Sequence, residues 1–399
     1  MNPKKIAVVQ LYFYPDISAV SQLLGDLLKE IADDAKYEIS VFCSRSYHGE
    51  RKKEDLRLLE SFNIEIRYIA TFNFGKKNFV TRLLDYFLYY ISIFIYFLFS
   101  FKWDLIIAMT SPPLIGCVIS AATLFTGVPF IYYVQDLYPE LLYDMGYIKS
   151  PQFVRKMRAL NSYAMRSANR VITIGEYMTK KVLDNYQTSG RRISEINNWT
   201  VGIEYSERKK MNEFTLLYSG NMGLAHDFSN LAALIRKLAM ASGIRYRFIG
   251  GGQARADIEN IFDSEKESRV AFQDYTDRSV HSSLIAEADL FIIAQKQETV
   301  GDILPSKLYS YLAAGRPILF LGPLNSEIGK LIINNDIGVV LETQDDAFKV
   351  AELIKSLICN RSLAVDMGRR ARTLFENKYR LTQSAEKFTR VIDYVLGLG

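Results

Sequence analysis

The feature that most constrains this chain is a strand-and-helix rhythm that runs through it twice. Short runs rich in β-branched residues at 6–11, 37–43, 64–70, 105–109, 130–134 and 171–174 read as buried strands, and the stretches between them, such as 21–31, carry helical apolar periodicity. Strands that alternate with helices build a parallel sheet covered on both faces. A polar stretch at 197–212, with adjacent Asn197 and Asn198, Gly202 and a charged cluster at 207–210, interrupts the rhythm. It then restarts, with strands expected at 215–218, 246–249, 270–272, 290–294 and 318–321, helices at 230–240 and 254–262, and two terminal helices at 345–377 and 382–396. The expectation is an α/β protein of two Rossmann-like, doubly wound domains, 1–202 and 203–376, followed by a separate helix at 377–399. Two such domains in tandem gather the carboxyl ends of both sheets and the positive ends of the following helices around one cleft, which suits an anionic ligand.

Composition excludes several other classes. With 399 residues, 49% hydrophobic and 23% charged, the chain can bury more than one core and carries no long Pro-, Gly- or Ser-rich tract. Cys43, Cys117 and Cys359 stand far apart in apolar runs, which argues against a disulfide framework or zinc site and for a reducing compartment. His48, His226 and His281 occur singly, so no metal site is expected. A net charge of +5 is too mild and dispersed for nucleic acid and fits an anionic membrane surface. The first ten residues lack the apolar run and cleavage site of a signal peptide, so a cytoplasmic protein is expected.

One segment breaks the soluble pattern. Residues 86–101 (YFLYYISIFIYFLFSF) carry no charge, with Lys76, Lys77, Arg82 and Asp85 before them and Lys102 and Trp103 after. At about 1.5 Å per residue the run is too short to cross a hydrocarbon core of about 30 Å comfortably. A buried core helix and a helix lying at the headgroup boundary remain. Because only Ser92 and Ser100 interrupt the run, membrane contact is the expectation, with Phe94 and Phe97 toward lipid.

Candidate chemistry lies in the loops. Gly220, Asn221 and Gly223 follow a strand and precede a helical region, where glycines let a phosphate approach backbone N–H groups; a tight turn would look the same. Gly250, Gly251 and Gly252 after the next strand serve either a turn or a bound ligand. In LPSKLYSYLAAGRP, Pro305 pre-sets a first helical turn, Ser306 can cap it or bind an anion, and Lys307 adds a cation at its positive end. In the first domain, Asp136 and Glu140 fall at the carboxyl edge of the sheet, where a carboxylate can orient an acceptor hydroxyl or merely cap a helix.

Taken in order, FYPDISAVSQLLGDLLKEI, SPPL, YVQDLYPE, ITIGEYM, LLYSGNMGLAHDF, FIGGGQ and LPSKLYSYLAAGRPI resemble the GT-B glycosyltransferases of family 4, in the WbuB-like branch of surface polysaccharide and O-antigen assembly. The resemblance spans nearly the whole chain. It implies two Rossmann-like domains facing a central cleft, a nucleotide diphosphate sugar held mainly by the second, retention of anomeric configuration with no metal or other cofactor, and a last helix that crosses back to the first domain. By resemblance, Ser306 and Lys307 match the diphosphate-binding pair, and Gly220, Asn221 and Gly223 the loop beneath it. Asp16 and Ser18 fall in the loop after strand one, facing donor and acceptor, where the family's common glycine pair is missing. Asp136 matches a polar residue facing the reacting sugar. The family's paired glutamates map to Asp302 and Ser310, the serine being too short to hold ribose hydroxyls, and Glu298 competes with Asp302 for the sugar.

The activity so implied is transfer of a hexose or N-acetylhexosamine from a nucleotide diphosphate sugar, UDP-linked, to a lipid-linked polyprenyl diphosphate saccharide at the cytoplasmic face of the inner membrane. A nucleotide-sugar 2-epimerase of the same architecture and a catalytically inactive membrane-bound partner are the competing readings.

Overall fold

The computed structural model describes residues 2–13, 16, 18–32, 35–44, 64–69, 71, 79–203, 205, 213–275 and 278–398. The chain divides into two compact units: residues 1–198, 301–304 and 381–399 form the first, and 199–300 with 305–380 the second.

In the first unit the elements run β1 Lys4–Val9, α1 Ala19–Ala32, β2 Tyr37–Ser44, β3 Ile64–Ile69, α2 Phe79–Leu98, β4 Leu105–Met109, α3 Ile115–Thr126, β5 Phe130–Tyr133, α4 Glu140–Asp144, α5 Pro151–Ser167, β6 Arg170–Thr173, α6 Glu176–Tyr186 and β7 Ile193–Glu195. Among the described residues the strands form one parallel sheet ordered β3-β2-β1-β4-β5-β6-β7. Every residue of β4 and β5 is buried, as a strand covered on both faces requires.

The second unit runs β8 Phe214–Ser219, α7 Leu231–Leu238, β9 Ile244–Ile249, α8 Arg255–Ser264, β10 Val270–Gln273, α9 Arg278–Ala286, β11 Leu290–Ala294, α10 Lys307–Ala314, β12 Ile318–Leu321, α11 Glu327–Asn335, β13 Gly338–Leu341, α12 Ala347–Cys359 and α13 Arg361–Lys378. Its parallel sheet is ordered β10-β9-β8-β11-β12-β13. The last helix, α14 Leu381–Leu396, belongs to the first unit, where it packs on α1. The Phe388 ring meets Tyr133 edge-on at 5.1 Å, the Tyr37 hydroxyl donates to Asp393 at 2.5 Å, and the Ser384 hydroxyl donates to the Asn197 carbonyl at 2.9 Å.

Both sheets use one device to fix the strands beside their switch points. The Asp104 carboxylate accepts the Lys5 N–H at 2.8 Å and pairs with the Lys4 ammonium at 3.1 Å, tying the start of β1 to that of β4. In the second unit the Asp289 carboxylate accepts the Thr215 N–H at 2.7 Å and the Arg361 guanidinium at 2.7 Å, tying β8 to β11. A strand order that reverses at β1/β4 and at β8/β11 leaves a crevice at the carboxyl end of each sheet, and loops carrying chemistry collect there.

Three expectations are corrected. The helix expected at 345–377 breaks at Asn360, whose side-chain oxygen accepts the Ser362 N–H at 3.2 Å and caps a new helix. β13 was not expected; Gly338 pairs with Ile318 so closely that a Cβ there would lie 1.9 Å from the Ile318 carbonyl oxygen. The third concerns α2, whose charge-free run packs on the sheet along one side: Tyr89, Ile93 and Phe97 are buried, and the Phe97 ring meets Phe42 at a tilt, 5.0 Å between centroids. Phe97 is therefore core and does not face lipid. Among the described residues no helix is long and apolar enough to cross a membrane. Lys76, Lys77, His48 and the side chains of Arg82 and His281 lie outside what is described.

Candidate active site

The second unit concentrates positive charge beside glycine. β8 ends at Ser219, and Gly220 turns the chain at φ +123°. Its carbonyl lies so near Gly250 that a Cβ on residue 250 would be 2.3 Å away, and a Cβ on Gly252 would be 2.4 Å from the Met222 carbonyl. Gly250 and Gly252 also adopt φ of +119° and +133°, so the two glycine loops nest only because side chains are missing. Gly251 lies under the exposed Tyr275 ring, whose hydroxyl donates to the Gly251 carbonyl at 3.2 Å.

Helix α10 brings Lys307 into this loop. Its ammonium donates to the Tyr218 hydroxyl at 2.5 Å and lies 4.1 Å from that ring's centroid, while the Tyr218 hydroxyl donates to the Asn221 carbonyl at 2.7 Å. Among the described residues no carboxylate pairs with Lys307, and burial brings its ammonium down to about 7. The His226 Nδ1 lies 3.0 Å from the Gly223 nitrogen and 3.1 Å from the Gly223 carbonyl oxygen, so the ring is held against this turn. Burial, then the charge of Lys307, keep this histidine neutral by holding it well below its usual range. The Tyr311 hydroxyl accepts the Ser219 N–H at 2.8 Å, and its ring stacks on Phe291 at 3.9 Å, fixing α10 to the end of β8.

Ser306 is the helical N-cap and makes no side-chain capping bond, so its hydroxyl is not spent on the helix. Ser310, one turn on, meets the Thr200 hydroxyl at 3.2 Å. Glu298 is exposed in a turn at Gln297–Thr299, beside Lys296, whose N–H donates to the Ala225 carbonyl at 2.9 Å. The structure thus brings Gly220, Asn221, Gly223, Gly250, Gly251 and Lys307 together, with Ser306 opening the same helix.

In the first unit Asp136 follows β5. Its N–H and that of Gln135 both donate to the Thr110 hydroxyl at 3.2 Å, and Gln135 forms a reciprocal amide pair with Asn198 at 3.1 and 2.9 Å. Burial raises the Asp136 carboxyl to about 6, against a long hydrogen bond from Tyr138 at 3.5 Å. Asp16 is buried, accepting the Ser18 N–H at 2.7 Å and the Ser21 hydroxyl at 3.3 Å; Ser18 and Ser21 share a hydroxyl contact at 2.6 Å.

Two expected site residues are committed elsewhere. Glu140 is buried, accepting Arg158 Nε at 2.6 Å and the Tyr186 hydroxyl, so it holds α4 to α5 and α6 and does not face an acceptor. Asp302, expected in the second domain, lies in the short excursion 301–304 that belongs to the first unit. Fully buried, it meets Lys181 Nζ at 2.5 Å, and its main-chain carbonyl accepts the Leu137 N–H at 2.7 Å. Burial, then the Asp144 carboxyl, push its carboxyl up to about 8 despite Lys181. Sequence reasoning missed Tyr218, Tyr311, the Gln135–Asn198 pair and Lys181. The first two close strand β8 and face inward from α10, a pattern shared with ordinary core aromatics; the others pair across long separations that leave no local signal.

Comparison with known proteins agrees with this arrangement. Residues 20–200 match the family described as Glycosyltransferase Family 4, and residues 203–374 match Glycosyl transferases group 1. The chain is 25% identical over 344 residues to the probable glycosyltransferase WbjE of Pseudomonas aeruginosa, covering 80% of this chain and 83% of that protein. It is 20% identical over 396 residues to the putative colanic acid biosynthesis glycosyl transferase WcaI of Escherichia coli K12, covering 93% and 96%. The crystal structure of HepE from Anabaena in complex with UDP superposes with a TM-score of 0.69 at 13% identity, covering 98% of this chain and all of that one. With two parallel Rossmann-like sheets beneath two consecutive family matches, the chain belongs to the family 4 glycosyltransferases and has the GT-B fold.

Proposed function

We propose that this enzyme transfers a hexose or N-acetylhexosamine from a UDP-sugar, with retention and without a bound metal, to a lipid-linked polyprenyl diphosphate saccharide during cell-surface polysaccharide assembly, O-antigen among the products in view. The observation that carries the reading is Lys307: a half-buried cation with no carboxylate partner among the described residues, beside a glycine loop at the switch point of the second sheet. A diphosphate would supply the missing countercharge. UDP bound to HepE and the polysaccharide assignment of WcaI support the substrate class.

In this reading the second unit holds the donor and the first the acceptor. The diphosphate lies over Gly220, Asn221 and Gly223, Gly250 and Gly251 give it room, and Ser306, Lys307 and the amino end of α10 stabilise the charge that develops as it leaves. The leaving diphosphate takes the acceptor proton on the same face of the sugar, and Asp136 orients the acceptor hydroxyl. The apolar outer side of α2 suits an enzyme working at the cytoplasmic face of the inner membrane on a lipid acceptor. Incubating the protein with UDP-sugars, with and without lipid-linked acceptor, tests the proposal. A glycosylated lipid of retained configuration supports it, an epimerised nucleotide sugar supports the epimerase, and an inverted product or no product contradicts it.

A further inference from the structure

We propose that α2, α3 and α5 form one docking face for an anionic lipid bilayer. This extends the membrane part of the reading above and does not depend on the transfer chemistry. The three helices are neighbours in one layer, α2 packed on α3 and α3 on α5. Each turns large apolar side chains outward: Phe87 (61% exposed) and Ile95 (53%) on α2, Phe125 (68%) on α3, Phe153 (51%) and Leu160 (57%) on α5. Scattered exposed apolar residues are ordinary, but three adjacent helices showing aromatic and branched residues on one side mark a surface meant to be covered.

Charge selects the occupant. Across the three helices the acidic residues reduce to Asp85, which is 9% exposed, whereas α5 carries Arg155, Lys156, Arg158 and Arg166 and no carboxylate. Arg158 is spent on Glu140 and Arg166 reaches Gln187, while Arg155 and Lys156 are exposed and unpaired among the described residues. A face with apolar side chains, cations and no exposed acid is complementary to a bilayer with anionic headgroups. A second copy of the same face would bring those cations against each other, which disfavours a homodimer here. Since α2 has no span-forming character, the helices would lie along the interface with side chains dipping into it.

The test is co-sedimentation of the full chain with vesicles of phosphatidylcholine alone and of 70:30 phosphatidylcholine:phosphatidylglycerol, with no nucleotide sugar or acceptor present. Binding is expected on the anionic vesicles, weakened by 0.5 M NaCl. Each cation near an anionic surface is worth roughly a fivefold change in binding, so Arg155→Gln with Lys156→Gln should cost about 25-fold. Phe87→Ser with Ile95→Ser should also release the protein with its circular dichroism unchanged. Equal binding to both vesicle types would overturn the charge selection and leave the α2 contact standing. No binding to either, or a dimer in solution that those substitutions dissolve, would overturn the docking face. A transfer assay on a short soluble acceptor separates these failures from failure of the glycosyltransferase reading.

Discussion

The Lys307 ammonium lies 2.5 Å from the Tyr218 hydroxyl and 4.1 Å from the centre of its ring, so a side chain from α10 rests on the last turnward aromatic of β8. The contact holds the cation at the mouth of the glycine loop without neutralising it. A phenol accepts one hydrogen bond and its ring face attracts a cation, but neither supplies the full countercharge of a carboxylate. The site is thus positioned for an anion before one arrives.

Burial of Asp302 predicts an acid-favoured first unit. Its folded carboxyl titrates near 8, above the ordinary aspartate value, so the folded state holds a proton that the unfolded chain has lost. The stabilisation from this proton is present below about pH 4 and is lost progressively as pH rises to about 8. Asp302→Asn mimics the protonated form, so thermal unfolding of the variant should vary less with pH over this window. An identical pH profile in the variant would show that Asp302 stays ionised beside Lys181.

Asp136 should govern turnover and leave donor affinity alone. If the carboxylate orients the acceptor hydroxyl, kcat should rise with pH through about 6, where burial places its titration. Asp136→Asn should lower kcat by about 100-fold or more and remove that limb, with UDP-sugar affinity unchanged. Near wild-type turnover would leave Asp136 a loop residue held by Thr110.

The nested glycines predict a sharp contrast between two alanine substitutions. Gly250→Ala puts a Cβ 2.3 Å from the Gly220 carbonyl at a φ of +119°, and should cost about 1–3 kcal/mol and weaken UDP binding as the loop moves. Gly190→Ala, whose Cβ would meet only Leu183 at 3.7 Å, should change stability by less than about 1 kcal/mol and leave UDP affinity intact. Denaturant titrations and calorimetry of both variants check this. Equal effects would mean that the close approach of residues 220 and 250 is dispensable.

Periodicity made the two parallel sheets legible, because strands buried on both faces read as continuous apolar runs such as Leu105–Met109 and Leu290–Ala294. The glycine loop and Lys307 were legible for a related reason: residues whose role is backbone conformation or a cation at a helix start leave local marks. What stayed hidden depends on distance. Asp302 and Glu140 looked like site carboxylates until Lys181 in one case, and Arg158 with Tyr186 in the other, were seen to claim them inside the first unit. The run in α2 misled for another reason. Its apolar residues face both inward and outward, so periodicity does not separate buried Phe97 from exposed Phe87.

Lys307 offers the most direct measurement. Calorimetry of UDP-glucose and UDP-N-acetylglucosamine binding at pH 8, in two buffers of different ionisation enthalpy, reads affinity and proton uptake together. Since the free ammonium titrates near 7, it is mostly neutral at pH 8, and a diphosphate that needs its charge must draw in a proton on binding. Affinity should therefore fall as pH rises above 7. A charged hydrogen bond to phosphate is worth about 1.5–3 kcal/mol, so Lys307→Met should weaken binding by roughly 10- to 150-fold and abolish the proton uptake, with unfolding little changed. A folded Lys307→Met protein that binds UDP-sugars as tightly as the wild type, with the same proton uptake, would contradict the diphosphate site.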